Sequence, residues 1–290
     1  MLKWIYILII VTHLTKMIKQ NPFSLYDFLG YFVPGALLIY LYLLIDFIEN
    51  STLEFGLSDF LSTASELKLE QFLFFVIISY ALGHLINFIS SITIEKYATW
   101  KYDYPSKYLL GFEKRNYWSK GIANLWRVIL PILILPTTIF DIVLGDLFKF
   151  KRFYTRKLDT FLIEVIKEKG IVLVNKLFKN KSGNEDVKKI RDYDFFRIFA
   201  HYTFEHSKNH QFKMINYVAL YGFLRALTLI TNIVFWFVSY SMITIEKFDF
   251  NFWILLIIGL ISYTFFMAFM KFYRRYTLEG FMLIAINEEI

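Results

Sequence analysis

What most limits this chain is a set of long stretches without a charged side chain. Eighteen uncharged residues lie between Asp27 and Asp46, 24 run from Gln71 to Ile94, 20 from Ala226 to Ile245 and 21 from Phe250 to Met270. A helix rises 1.5 Å per residue, so about 20 apolar residues match the ~30 Å hydrocarbon core of a bilayer. Composition agrees: 57% of the residues are hydrophobic, against about 45–50% in soluble domains. These runs predict an all-α membrane protein with four transmembrane helices.

Between and around the runs the chain divides by polarity. Residues 1–20 carry Lys3, a short apolar run and a polar stretch, which reads as an N-terminal interfacial helix. Met17 is a second candidate start, because the organised sequence begins at Asn21. Residues 21–94 hold the first two spans, with a kink expected at Pro34-Gly35. Residues 95–216 form a basic, helical cytoplasmic body, 217–270 a transmembrane hairpin and 271–290 a cytoplasmic tail. Within the body, Leu158, Phe161, Leu162, Val165 and Ile166 follow helical spacing, and Gly170 is the expected stop. The following IVLVNKLFK is too short to assign to helix or strand.

The segment 128–140 (VILPILILPTTIF) is ambiguous. Its 13 residues are too few for an ordinary span, and they contain Pro131 and Pro136. Lys and Arg collect on the cytoplasmic side of membrane proteins, and that rule arbitrates. If the segment does not cross, one side holds 30 of the 32 basic residues; if it crosses, the split is 21 to 11. A re-entrant or interfacial segment is therefore expected, with both termini cytoplasmic in a multi-pass protein of the cell inner membrane. The net charge of +7 is then what orientation requires, which argues against nucleic acid as a partner.

Several side chains could carry chemistry. His84 and Asn87, three residues apart within the second span, could line a polar path or act as hydrogen-bonding glue between helices. Arg225 stands at the inner mouth of the third span, where snorkelling is the ordinary outcome, and Asp27 at the matching level of the first is its expected partner. Lys149, Lys151, Arg152, Arg156 and Lys157, set among aromatics, suit anionic lipid headgroups. His201, Glu205, His206 and His210 could supply ligands to Zn, Mn or Fe, with Asp192 or Asp194 completing the set; a solvated or packed helix face is the alternative. No cofactor is otherwise indicated. There is no cysteine, phosphate-binding glycine loop, nucleophile elbow or acidic Mg cluster, which argues against an enzyme.

Arg197 and His201 are similar to the Arg–His ribonuclease motif of HEPN-type helical domains, but three residues separate them where that motif has four to six. The opening NPFSLYDFLGYFVPG, with few spans and a basic helical body, resembles small bacterial inner-membrane proteins associated with phage-defence loci. The resemblance covers mainly residues 21–48 and the layout. It implies an oligomeric sensor or effector that receives a signal, from a cytoplasmic partner protein or a small signalling ligand, and perturbs the membrane. The alternatives are a channel or transporter subunit, and a membrane-tethered metal-dependent hydrolase or nuclease.

Overall fold

The computed structural model describes residues 27–50, 68–113, 116–118, 123–177, 195–244 and 252–288. The stretch 1–20, most of the acidic segment 49–70, the polar loop 180–186 and both Asp192 and Asp194 lie outside the described residues. All regular structure among the described residues is helical. Among the described residues, four helices are long and apolar enough to cross a membrane.

The first begins with a π-helical turn, Phe28–Phe32, and continues as α1 (Val33–Asn50). The irregularity expected at Pro34-Gly35 thus takes the form of one wide turn directly ahead of the proline. Proline has no N–H to return to the preceding turn, and a π turn absorbs the mismatch. The second span is α2 (Leu69–Ser90), which passes through another π turn (Ser91–Glu95) into α3 (Lys96–Tyr102). Asp103, at φ 67°, ends this run in the left-handed region, and a short α4 (Pro105–Tyr108) follows.

Spans one and two touch through their backbones. A Cβ on Gly83 would overlap the carbonyl of Tyr31, and one on Gly35 would overlap that of Ser79. Small residues at such crossings let helices approach in a solvent that supplies no hydrophobic drive between them. Gly83→Ala is therefore expected to cost about 1–3 kcal/mol, by overpacking a contact made of rigid backbone. An unchanged unfolding midpoint for the purified variant would contradict this close crossing.

The proline-rich segment is broken. Helix α5 (Ala123–Leu133) and helix α6 (Leu135–Phe140), with the π-helical run Asp141–Leu147 that extends α6, meet at 94°. The turn falls at Ile134, whose φ/ψ of −105°/36° is not helical. Carbonyls at the bend find side-chain donors: Thr138 Oγ1 donates to Pro131 O at 3.1 Å and the Trp236 indole N–H to Leu133 O at 2.8 Å, while Ile134 O takes both the Thr138 N–H and its hydroxyl. Irregular backbone is tolerated in a membrane protein where its polar groups find such partners.

After a single turn, α7 (Arg152–Thr155), comes α8 (Thr160–Leu177). The stop expected at Gly170 does not occur, and the helix runs on to Leu177, into the stretch that could not be assigned. The glycine instead makes room for a neighbour, since a Cβ there would sit 2.5 Å from Phe199 Cζ. Helix α9 (Phe195–His206) ends one residue before α10 (Lys208–Thr244), and α11 (Phe252–Ile286) closes the chain. Helices α10 and α11, of 37 and 35 residues, pack against one another. At 1.5 Å per residue each is roughly 50–55 Å long, well beyond the ~30 Å of hydrocarbon.

Two cores result. The bundle core is built on Ile94, Tyr97, Leu130, Ile230, Tyr263, Phe266 and Phe269. A second core, of Leu109, Leu110, Ile166, Phe195, Phe199, Phe281 and Ile284, joins α8 and α9 to the far end of α11. Glu279 of α11 holds α10 there, 3.0 Å from both His210 Nδ1 and Lys213 Nζ.

Candidate functional site

A fully buried carboxylate, Asp141, sits where α6 passes into its π-helical extension. Four donors converge on it. Tyr97 OH and Lys101 Nζ donate to Oδ2, each at 2.8 Å, while Tyr102 OH and Tyr154 OH donate to Oδ1 at 2.6 and 3.1 Å. Tyr97, Lys101 and Tyr102 lie at i, i+4 and i+5 of the run that prolongs the second span, so one helix face delivers three of them. The fourth comes from α7, and Tyr263 OH of α11 stands 3.5 Å behind Tyr154 OH. Gly145, one turn on, leaves the space: a Cβ there would meet Asp141 Oδ1 at 2.6 Å.

Four donors on a two-oxygen acceptor are the complement of an ionised carboxylate, and such charge-assisted hydrogen bonds are about twice as strong as neutral ones. The charge is passed outward. Lys101 also reaches Asp146 Oδ2 at 2.8 Å, and Lys151 reaches Asp146 Oδ1 at 2.8 Å, so acid and base alternate from the interior to the surface. Burial first, and the adjacent Asp141 second, push the pKa of Tyr154 well above that of a free phenol. Its hydroxyl therefore stays a proton donor across any ordinary pH.

A second buried charge lies on α10. Arg225 is 8% exposed and does not snorkel; its guanidinium turns into the bundle. Nε donates to Ser90 Oγ at 3.1 Å, Nη1 pairs with Glu95, and Nη2 donates to the Asn87 side-chain oxygen and, at 3.3 Å, to its backbone carbonyl. Asn87 is thus an arginine partner, while His84 lies exposed and stacks on the Tyr31 ring, 3.8 Å between centroids, with Tyr80 edge-on. His84 and Asn87 therefore serve different neighbours. Asp27, expected beside Arg225, immediately precedes the first π turn.

A third polar knot binds the bend to the last two spans. Asn232 Nδ2 donates to Thr137 Oγ1 at 2.8 Å and to Ser262 Oγ at 3.0 Å, and those two hydroxyls are 2.7 Å apart. All three residues are buried, and Asn232 Oδ1 has no partner among the described residues.

The histidine-bearing segment is divided between uses. His206 stacks on Tyr202 at 3.8 Å, with Nδ1 2.9 Å from the Tyr202 carbonyl, and His210, beyond the break at Ser207, faces Glu279. Glu205 and His201 are exposed. Among the described residues no three His, Asp or Glu side chains stand close enough to hold a metal ion. In the basic segment, Lys149, Arg152, Arg156 and Lys157 are exposed, whereas Lys151 is engaged with Asp146. Phe148 and Phe153 are exposed among them, and Tyr154 points inward to Asp141.

Sequence reasoning missed Asp141, its tyrosines, Glu95 and the Thr137–Asn232–Ser262 knot. One signal was available: Asp141 is the single charge in a stretch from Val128 to Gly145. A lone acid amid apolar residues needs partners if it is buried. No protein-family model, curated protein or solved structure matches the chain.

Proposed function

We propose that this chain is a multi-pass membrane sensor and effector whose broken segment, residues 124–147, is the element that moves. The observation that carries the reading is the 94° break, with one leg held to the second span by a buried carboxylate. A hydrophobic staple would be simpler and at least as stable, since burying charge costs several kcal/mol per ion. A charged latch makes sense where the joint has to open. Once the tyrosine and lysine donors part from Asp141, the carboxylate needs water, and the segment is driven toward an aqueous surface.

In this reading the segment is re-entrant from the cytoplasmic side, in keeping with the distribution of basic residues. The exposed Phe148, Phe153, Arg152, Arg156 and Lys157 rest on anionic headgroups of the inner membrane. The helical body on α8 and α9 receives the signal, and copies of the chain assemble in the membrane to disturb it. The resemblance of residues 21–48 to defence-associated membrane proteins supports such a role.

The test is ion leakage from proteoliposomes. Tyr102→Phe removes one donor while keeping the ring and its packing, and it is expected to leak several-fold faster than wild type. Equal leakage from a variant that folds normally would overturn the latch. A channel subunit is the second reading, favoured by the Thr137–Asn232–Ser262 knot, whose amide oxygen has no partner among the described residues. Its mark would be a resting wild-type conductance that Asn232→Leu abolishes.

A further inference from the structure

Where the body meets the spans, a cavity of about 680 Å³ opens between α4, α9, α10 and α11. One wall is aromatic: Tyr221 of α10 lies 5.0 Å from Tyr273 and 5.9 Å from Tyr276 of α11, ring centroid to centroid. The other wall, from α4 and α9, sets basic side chains among Phe195, Phe196 and Phe204. Arg197 and His201, one turn apart on α9, and Lys107 of α4 all line the same space. Against these three, the lining among the described residues includes one carboxylate, Asp103, whose Oδ1 already accepts the Tyr104 N–H at 2.8 Å.

The two walls ask for different parts of one molecule. A guanidinium fork, an ammonium and an imidazole lining the same cavity suit a multiply charged oxyanion. A row of tyrosine faces selects a flat ring or an apolar chain. The volume falls within the range of small-ligand sites and far exceeds what an inorganic anion fills. We infer that this cavity binds a phosphate ester, its phosphate on Arg197, Lys107 and His201 and its body against Tyr221, Tyr273 and Tyr276.

Place adds a consequence. Tyr221 is four residues, about one helical turn, ahead of Arg225 on α10, so the ligand would sit one turn from the buried arginine network. The inference rests on the body being the receiving end of the proposed sensor. Binding is read without any flux measurement, so failure of one idea is separable from failure of the other.

Two sources supply a phosphate ester here: a soluble nucleotide, or a phospholipid entering sideways from the inner leaflet. The full chain in phosphatidylcholine nanodiscs would be titrated with trinitrophenyl-ATP in one arm and with dihexanoyl phosphatidylglycerol in the other. Saturable binding in either arm is expected, and the arm that binds names the source. Arg197→Ala, at an exposed position, should weaken it about tenfold or more, the cost of one charge-assisted hydrogen bond. Arg197→Lys should lose less, and Lys208→Ala, off the cavity wall, nothing. Tyr276→Leu, which keeps bulk but not the ring face, should weaken a nucleotide more than a lipid. No saturable binding in either arm, or binding that Arg197→Ala leaves unchanged, would overturn the inference.

Discussion

Replacing Arg225 by methionine is expected to destabilise the bundle by about 3 kcal/mol, the low end of the cost of removing one partner from a buried ion pair, because Glu95 keeps some contact with solvent. The arginine is 8% exposed, and its three nitrogens meet Ser90, Glu95 and Asn87 on the second span. Methionine fills much of the volume, so the loss is electrostatic rather than a cavity. What remains is a Glu95 carboxylate whose side chain is 25% exposed, facing an apolar thioether. The control is to remove the charge from both sides. Arg225→Met with Glu95→Gln should recover a large share of the loss, because an uncharged pair has no stranded ion. Unfolding of the purified protein in a denaturing-detergent titration measures all three differences. A single variant as stable as wild type would show that the network contributes nothing.

Asp141→Asn is expected to cost a similar amount although the two side chains are nearly the same shape. The carboxylate accepts at both oxygens, from Tyr97 and Lys101 at one and from Tyr102 and Tyr154 at the other. An amide accepts at only one position and presents N–H at the other. Whichever way it turns, two donors face a donor. If the amide nitrogen takes the Oδ2 position it also confronts the Lys101 ammonium, whose remaining acid is Asp146. Lys101→Met should cost less than Asp141→Asn, since Asp141 would keep its three tyrosine donors. The reverse order would mean that the lysine, not the carboxylate, organises the cluster.

The membrane-crossing frame could be read from sequence because lipid imposes one simple demand, an uncharged run of sufficient length. Pro131 and Pro136 marked the broken segment for the same local reason, a missing backbone donor. Gly170 misled because glycine has two uses. Its absence of a side chain can end a helix or admit a neighbour, and only the position of Phe199 decides. The Asp141 cluster was illegible for a different reason. Its members at 97, 101, 102, 141, 154 and 263 come from four separate elements, and Tyr97 and Tyr102 look from sequence like any interfacial tyrosine. Arg225 drew notice as a charge beside a span. Its burial depends on Ser90 and Asn87 facing it across a helix crossing, which no spacing rule reports.

The unbroken length of α10 and α11 has a mechanical meaning. A continuous α-helix resists twisting and bending over its whole hydrogen-bonded length, and neither of these two contains a proline to soften it. The body is mounted on one end of this pair of stiff rods, and the bend at Ile134 is pinned to their flanks by Trp236, Asn232 and Ser262. Any turn of the body about the rod axis is therefore geared to the bend at Ile134 without an intervening soft joint.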